Sequence, residues 1–246
     1  MKSGKFEKAY DCLSSIRNRE ITINGKIITN PNYFFNSKKE LVEFNNKKIK
    51  QVAKLYFLLN KPAGYLCQKS EGEKTIYDLL KNLNLSKELI QSLHAVGRLD
   101  KDTEGLMILT NDGEISNIVS NPKNKIIKRY LAILEKTINI NKIKIIEKGV
   151  EIMIGNEKYK TKPCKIKIVK EKEIYVSISE GKKRQIRKMF EAVGNKIVYL
   201  KRVSIEGLRL GKLNTGEIKQ VAREDIYSNL LNISSKFNSL FSNVYK

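Results

Sequence analysis

Residues 97–113, Gly97-Arg98-Leu99-Asp100-Lys101-Asp102-Thr103-Glu104-Gly105-Leu106-Met107-Ile108-Leu109-Thr110-Asn111-Asp112-Gly113, hold the densest chemistry in the chain. Asp100, Asp102, Glu104 and the guanidinium of Arg98 stand between two glycines, and the apolar run Leu106 to Leu109 follows at once. That run has the length of a buried strand. Charged groups at the mouth of a buried strand lie at a sheet edge or a cleft, where burial and neighbours tune protonation. Asp100, Asp102, Glu104 and Gly105 also fit the start of a calcium-loop pattern, but its last ligand position is Asn111, which has no carboxylate. His94-Ala95-Val96-Gly97 precedes it in place of an amphipathic helix. Calcium binding and a plain solvated acidic turn are the weaker readings.

Outward from this segment the chain reads as α+β. Leu55 to Leu59 is a second apolar run of strand length, stopped by Asn60-Lys61-Pro62, and Tyr130 to Leu134 starts another strand. Ile76, Leu79, Leu80 and Leu83 recur at helical spacing and predict a helix over 75–85. Lys165 to Ile168 and Ile174 to Ser179 alternate and predict two strands joined through Lys170 to Glu173. Ile186, Met189, Phe190 and Val193 predict a helix over 185–193, with Gly194 as its stop. Ile197 to Ile205 and Leu208 to Leu210 are further strands, and the Asn- and Ser-rich tail after Ile226 reads as a frayed helix. Upstream, Phe6 to Ile16 suits a short helix. Ile21 to Ile27 reads as a hairpin about Asn24-Gly25, and Leu41 to Phe44 is a short strand. The polar run Asn45 to Lys54 reads as a linker. The organisation expected is a small unit over 1–48, a connection over 49–54 and one large domain over 55–246.

Composition narrows the partners. The chain of 246 residues carries 48 Lys and Arg against 26 Asp and Glu, a formal charge of +22. Such an excess favours polyanions, with nucleic-acid phosphate foremost; part of it also follows from a Lys-, Ile- and Asn-rich composition. The 3 cysteines are far apart and the single histidine is His94. Neither a disulfide framework nor a zinc site is suggested. Met1 to Asp11 lacks the apolar core of a signal peptide and no apolar run approaches the ~18 residues of a membrane span. The expectation is a cytoplasmic protein, monomeric, without metal or membrane.

Residues 97–113 closely resemble the central motif of the pseudouridine synthases, and most of all the Rsu-type enzymes of ribosomal RNA. Companion motifs stand in order: Lys61-Pro62-Ala63-Gly64, Lys128-Arg129-Tyr130, Glu180-Gly181-Lys182-Lys183-Arg184-Gln185-Ile186-Arg187-Lys188-Met189-Phe190, and Leu200-Lys201-Arg202. The likeness runs from about Leu55 to Ile226. It implies the pseudouridine synthase fold, a mixed, mainly antiparallel sheet flanked by helices. It implies isomerisation of a uridine in ribosomal RNA or a pre-ribosomal particle. Gly207 to Leu213 with Thr215-Gly216-Glu217 looks slightly more like large-subunit (23S) members than small-subunit (16S) ones.

The resemblance also assigns roles. Asp100 matches the catalytic aspartate, Tyr130 the tyrosine that stacks on the target base, Arg187 the basic residue paired with that aspartate, and Leu200 a packing residue of the pocket. Lys61 and Arg98 lie in matching motifs and are expected at the substrate, and Lys182, Lys183, Arg184 and Lys188 are expected at RNA phosphates. Ser14 to Phe44 resembles the second half of the RNA-binding domain named after ribosomal protein S-four, with Arg17, Arg19 and Lys26 as RNA contacts. The first helix of that domain type and its Ser-Arg-Arg turn are not recognisable in Met1 to Leu13.

The reaction breaks the N1–C1′ glycosidic bond, turns the uracil and joins C5 to C1′. No electrons are gained or lost, so no redox cofactor is expected. A carboxylate is required, as nucleophile or as stabiliser of an electron-poor sugar. An aromatic face suits a base swung out of its stack. The competing reading is a non-catalytic ribosomal-RNA-binding assembly protein of the same fold, which would need no acid in an RNA-facing pocket.

Overall fold

The computed structural model describes residues 9–36, 39–49 and 53–231. The expected helix start at Phe6 and the far end of the tail lie outside these residues. Helix α1 (Ala9–Arg17) leads into β1 (Ile21–Ile23) and β2 (Lys26–Ile27), and β3 (Val42–Phe44) and β4 (Lys47–Lys48) complete an antiparallel sheet in the order β2-β1-β3-β4. Asn24 (φ 50) and Gly25 (φ 78) turn the first hairpin in the left-handed region, as two-residue hairpin loops require. Asn45 (φ 48) and Asn46 (φ 58) turn a second one, pairing Phe44 with Lys47. The polar run from Asn45, expected as linker, thus starts as structure, because asparagine tolerates this conformation better than most side chains. Ile21, Ile23, Ile28, Val42 and Ile49 pack as the small core of this unit.

The larger sheet follows. Its elements are β5 (Tyr56–Lys61), α2 (Ile76–Leu80), α3 (Lys87–Ser92), β6 (His94–Ala95), β7 (Glu104–Thr110), α4 (Gly113–Ser120), a 3₁₀ turn (Pro122–Asn124) and β8 (Lys128–Leu134). Then come α5 (Ile140–Lys148), a separate hairpin of β9 (Glu151–Ile154) and β10 (Glu157–Lys160), β11 (Lys165–Ile168), β12 (Glu173–Ile178), α6 (Gln185–Glu191), β13 (Ile197–Ile205), β14 (Leu208–Arg209), β15 (Ile218–Gln220) and α7 (Arg223–Leu231). The main sheet runs β11-β12-β8-β13-β7-β5-β15, with β14 on β13 and β6 on β7. Among the described strands only β13 and β7 pair in parallel, so the protein is α+β with a mixed, mainly antiparallel sheet.

Alternation along the strands builds two cores, one on each face. Phe57, Leu59, Met107, Leu109, Tyr130 and Leu200 join the larger cluster, while Tyr56, Leu106, Ile108 and Ile205 join the other. Three elements depart from the sequence reading. The helix expected over 75–85 ends at Leu80, and a short helix, α3, follows. Thr75 and Asp78 close a capping box at the start of α2, a local signal for a start that says nothing of length. Strand β5 does not stop at Asn60: it carries Asn60 and Lys61, both buried, to its end. The strand β11 alternates as expected, yet it is an edge strand with three of its four residues exposed.

Gly105 sits where the parallel pair must close. It lies opposite Arg202, at φ +109, and a Cβ built on it would stand 2.2 Å from the Arg202 carbonyl oxygen and 2.6 Å from its nitrogen. Gly105→Ala should therefore cost about 3 kcal/mol or more. Gly64→Ala, at φ +85 with nothing within 4 Å, should cost only about 1–2 kcal/mol. Urea unfolding of the two variants checks this, and equal losses would contradict the contact.

Candidate active site

The loop between β6 and β7 is held from behind, carbonyl by carbonyl. Lys61 is fully buried at the end of β5. Its Nζ donates to Pro62 O and Thr103 O, both at 2.9 Å, and to Asp100 O and Lys101 O, both at 3.3 Å. Gly64 N–H donates to Lys101 O at 2.7 Å, and Thr103 N–H closes a turn onto Asp100 O at 3.0 Å. Just upstream, Leu99 N–H donates to Cys67 Sγ at 3.3 Å, and that thiol donates to Leu99 O at 3.2 Å. Burial lowers the pKa of Lys61, while Cys67 and the carboxylates of Asp102, Glu104 and Asp100 pull it back up. Four carbonyl dipoles replace the water that this ammonium gave up.

On its front the loop faces a cleft of about 820 Å³. Asp100, Tyr130, Arg187 and Leu200 all line it, as do Arg98, Lys182, Lys183 and Arg184. The sheet explains the assembly. Arg202 and Leu200 on β13 pair with Tyr130 and Ala132 on β8, so their side chains share one face. Tyr130 is 8% exposed and Leu200 4%, so each is both core and cleft wall. The Asp100 carboxylate makes no hydrogen bond or ion pair with other described residues.

Several expected contacts fall elsewhere. Arg187 does not pair with Asp100. Its Nη2 lies 3.3 Å from Asp102 Oδ2 and donates to the Asp102 carbonyl at 3.2 Å, while Nη1 donates to Ile197 O at 2.9 Å. The turn closed by Thr103 presents Asp102, not Asp100, to the first turn of α6. Arg184 caps α6 in the left-handed region (φ 54), with Nη1 at 3.2 and 3.0 Å from the two oxygens of Asp102. Asp102 thus ties α6 to the loop, which leaves the Asp100 carboxylate to the cleft. Lys61, expected at substrate, is buried behind the loop. Lys188, expected at phosphate, turns to the carbonyl of Met153, away from the cleft wall. Arg98 is exposed, with Nη1 3.4 Å from Gln68 Oε1. Arg17, Arg19 and Lys26 are exposed on the small N-terminal unit.

The cleft also gathers residues that no motif reading had named as site residues. Tyr159, on β10, lines it, donates to Glu180 Oε2 at 2.6 Å and lies under Lys182 Nζ, 4.7 Å from the ring centroid. Lys128 and Arg202 line it too. Burial pushes the Lys128 ammonium down to about 8, the charge of Arg202 adds to the fall, and Glu206 opposes it. A period-2 count from Tyr130 and from Leu200 would have found Lys128 and Arg202; nothing in the sequence pointed to Tyr159. Among the described residues no group of three or more His, Cys, Asp or Glu could hold a metal ion, and no helix is long and apolar enough to cross a membrane.

The geometry has counterparts. Residues 55–192 match the family described as RNA pseudouridylate synthase. The chain belongs to that family. It is 33% identical over 219 residues to the ribosomal large subunit pseudouridine synthase B of Bacillus subtilis, covering 86% of this chain and 85% of that one. It is equally 33% identical over 214 residues to the ribosomal small subunit pseudouridine synthase A of Escherichia coli, covering 87% and 90%. A crystal structure of a pseudouridylate synthase superposes with a TM-score of 0.65 at 32% identity, over 91% of this chain and 94% of that one. The protein is thus a pseudouridine synthase, an isomerase that binds RNA.

Lys61 gives the site its test. Lys61→Met keeps the length of the side chain and removes the ammonium, leaving buried carbonyls unanswered at about 1–3 kcal/mol. The variant should melt earlier and lose turnover, with KM for RNA little changed because the side chain does not reach the cleft. A variant whose KM rises while turnover holds would put Lys61 at the substrate after all.

Proposed function

We propose that this synthase converts a uridine of ribosomal RNA to pseudouridine with Asp100 as the catalytic carboxylate. The observation that carries the reading is Asp100 itself: a carboxylate with no hydrogen-bond or ion-pair partner among the described residues, on the wall of a cleft of about 820 Å³ that also contains Tyr130. A carboxylate left without a partner in a basic cleft has no structural work to do. Its position suits attack on the substrate or support of positive charge at C1′. Relatives of both ribosomal specificities support a ribosomal RNA substrate.

The geometry supports a role for each residue. Tyr130 offers its ring to the extruded uracil, against Leu200 on the neighbouring strand. Arg187 acts through Asp102: it fixes the loop that carries Asp100 and does not touch that carboxylate. Arg98, Lys182, Lys183 and Arg184 line the same cleft and meet phosphates. In Arg184 that contact competes with an exposed ion pair to Asp102, which is weak enough to exchange. The unit over 1–48 adds RNA affinity through Arg17, Arg19 and Lys26. The enzyme works as a cytoplasmic monomer without a metal. Large-subunit RNA is the favoured target on the likeness of Gly207 to Glu217, with small-subunit RNA as the control.

Transcripts of 23S and 16S RNA labelled with tritium at uracil C5 test the proposal, since C5 loses its hydrogen when it bonds to C1′. Release from 23S RNA should fall by more than about 10³-fold in Asp100→Asn, with RNA affinity kept. Tyr130→Ala should lose about 1–3 kcal/mol of stacking. Affinity without release in the wild-type protein would favour an assembly factor and overturn the enzymatic reading for this substrate.

A further inference from the structure

Lys128 and Arg202 are cleft-lining cations on the strands that carry Tyr130 and Leu200, and the proposed reaction has no use for either. Lys128 lies two residues before Tyr130 on β8, so it leaves the same face of the sheet, and Arg202 lies directly across the ladder from Tyr130. Arg202 is only 2% exposed. Its Nε donates to Leu106 O at 2.7 Å, but its Nη2 has no partner among the described residues. Lys128 Nζ has one long bond, to Ile126 O at 3.3 Å. The two cations repel each other, and Glu206 is the acid that acts on Lys128. The Glu206 carboxylate is itself engaged by the Ile127 N–H.

Leaving a guanidinium N–H buried and unbonded is costly, and a second cation beside it raises the cost. The bond from Nε to Leu106 O accounts for one edge of the guanidinium and leaves Nη2 unanswered among the described residues. What would answer it is a ligand with negative charge and several acceptor oxygens, entering from the cleft. The flanking phosphodiesters of a nucleotide stay close to its base, so a base held at Tyr130 would bring one to this corner.

We propose that Lys128 and Arg202 form a phosphate subsite that takes one backbone phosphodiester adjoining the extruded uridine. The inference rests on reading the cleft as the uridine site. The subsite fixes the backbone on one side of the target while the base turns, so that phosphate contact sets the register at which Asp100 meets C1′. It also explains why the two cations flank the strand pair that carries Tyr130 and Leu200 and not the exposed rim of the cleft.

Inorganic phosphate is the first probe, because it needs neither turnover nor a known target. In protein carrying ¹³C at lysine Cε, one resonance disappears in Lys128→Met and is thereby assigned. Phosphate should shift it and raise its titration midpoint above the one measured in the same protein without phosphate. The second probe is a ribosomal RNA fragment that releases tritium, made with a neutral methylphosphonate at either phosphate beside the target. One such replacement should weaken wild-type binding about tenfold, and Lys128→Met should lose about tenfold on the unmodified RNA. Combining the two should cost no more than either alone, and Lys128→Arg should restore the affinity on unmodified RNA.

A Lys128 resonance that ignores phosphate overturns the subsite. Losses that multiply when combined overturn the RNA assignment, and with phosphate still bound they leave a site for the free anion. If no ribosomal fragment releases tritium, the failure belongs to the functional reading, and the phosphate titration still decides whether the anion site exists.

Discussion

The site depends on one buried ammonium. Lys61 reaches the back of the loop before β7 and bonds to the carbonyls of Asp100, Lys101 and Thr103, besides its own neighbour Pro62. With three of its carbonyls held at one cation, the loop has a fixed backbone, and from it the Asp100 side chain leaves on the cleft side. The arrangement is stable because the dipoles and the nearby carboxylates offset the desolvation of the charge, and because Gly64 and Cys67 hold the same backbone from neighbouring points. The apolar sheet behind it supplies the rigidity: β7 is buried along most of its length and is flanked by β5 and β13.

Asp102 has the complementary task. Two guanidiniums converge on it, Arg187 from inside and Arg184 from the surface, and together they join α6 to the loop. The two aspartates are separated by one residue, yet they serve opposite ends: one holds the frame and the other is left free. Sequence similarity had joined Arg187 to Asp100, since both stand in the motifs that define the family. In the structure Arg187 instead meets Asp102, and the Asp100 carboxylate has no ion-pair partner among the described residues.

The cleft is strongly cationic for the proposed site of a neutral base. That follows from the size of its ligand. The base is a small part of what must be bound; the rest is a polyanion that has to be gripped while one nucleotide is withdrawn from its stack. The cations on the rim, Arg98, Lys182 and Lys183, are exposed and suit loose, salt-sensitive contact. Lys128 and Arg202 are deep, desolvated and poorly answered within the protein, so they suit a single contact of defined position.

Local pattern alone determined a good deal. The apolar runs at Leu55 and Leu106, the alternation at Ile174, the helical spacing from Ile186 and the Asn24-Gly25 hairpin depend on neighbouring residues only, and each element formed. The motif residues Asp100, Tyr130 and Leu200, far apart in sequence, line one cleft. What the tertiary structure decided was direction and partnership. Lys61 read as a substrate contact and Lys188 as a phosphate contact, because no sequence pattern says that a lysine will instead find four carbonyls or turn to the carbonyl of Met153. Tyr159 reached the cleft on a hairpin remote in sequence, and Arg187 met Asp102 because a single turn rotated one aspartate toward α6 and its neighbour away. Side-chain period is local, whereas the partner of a charge is chosen by whatever the folded sheet brings within bonding distance.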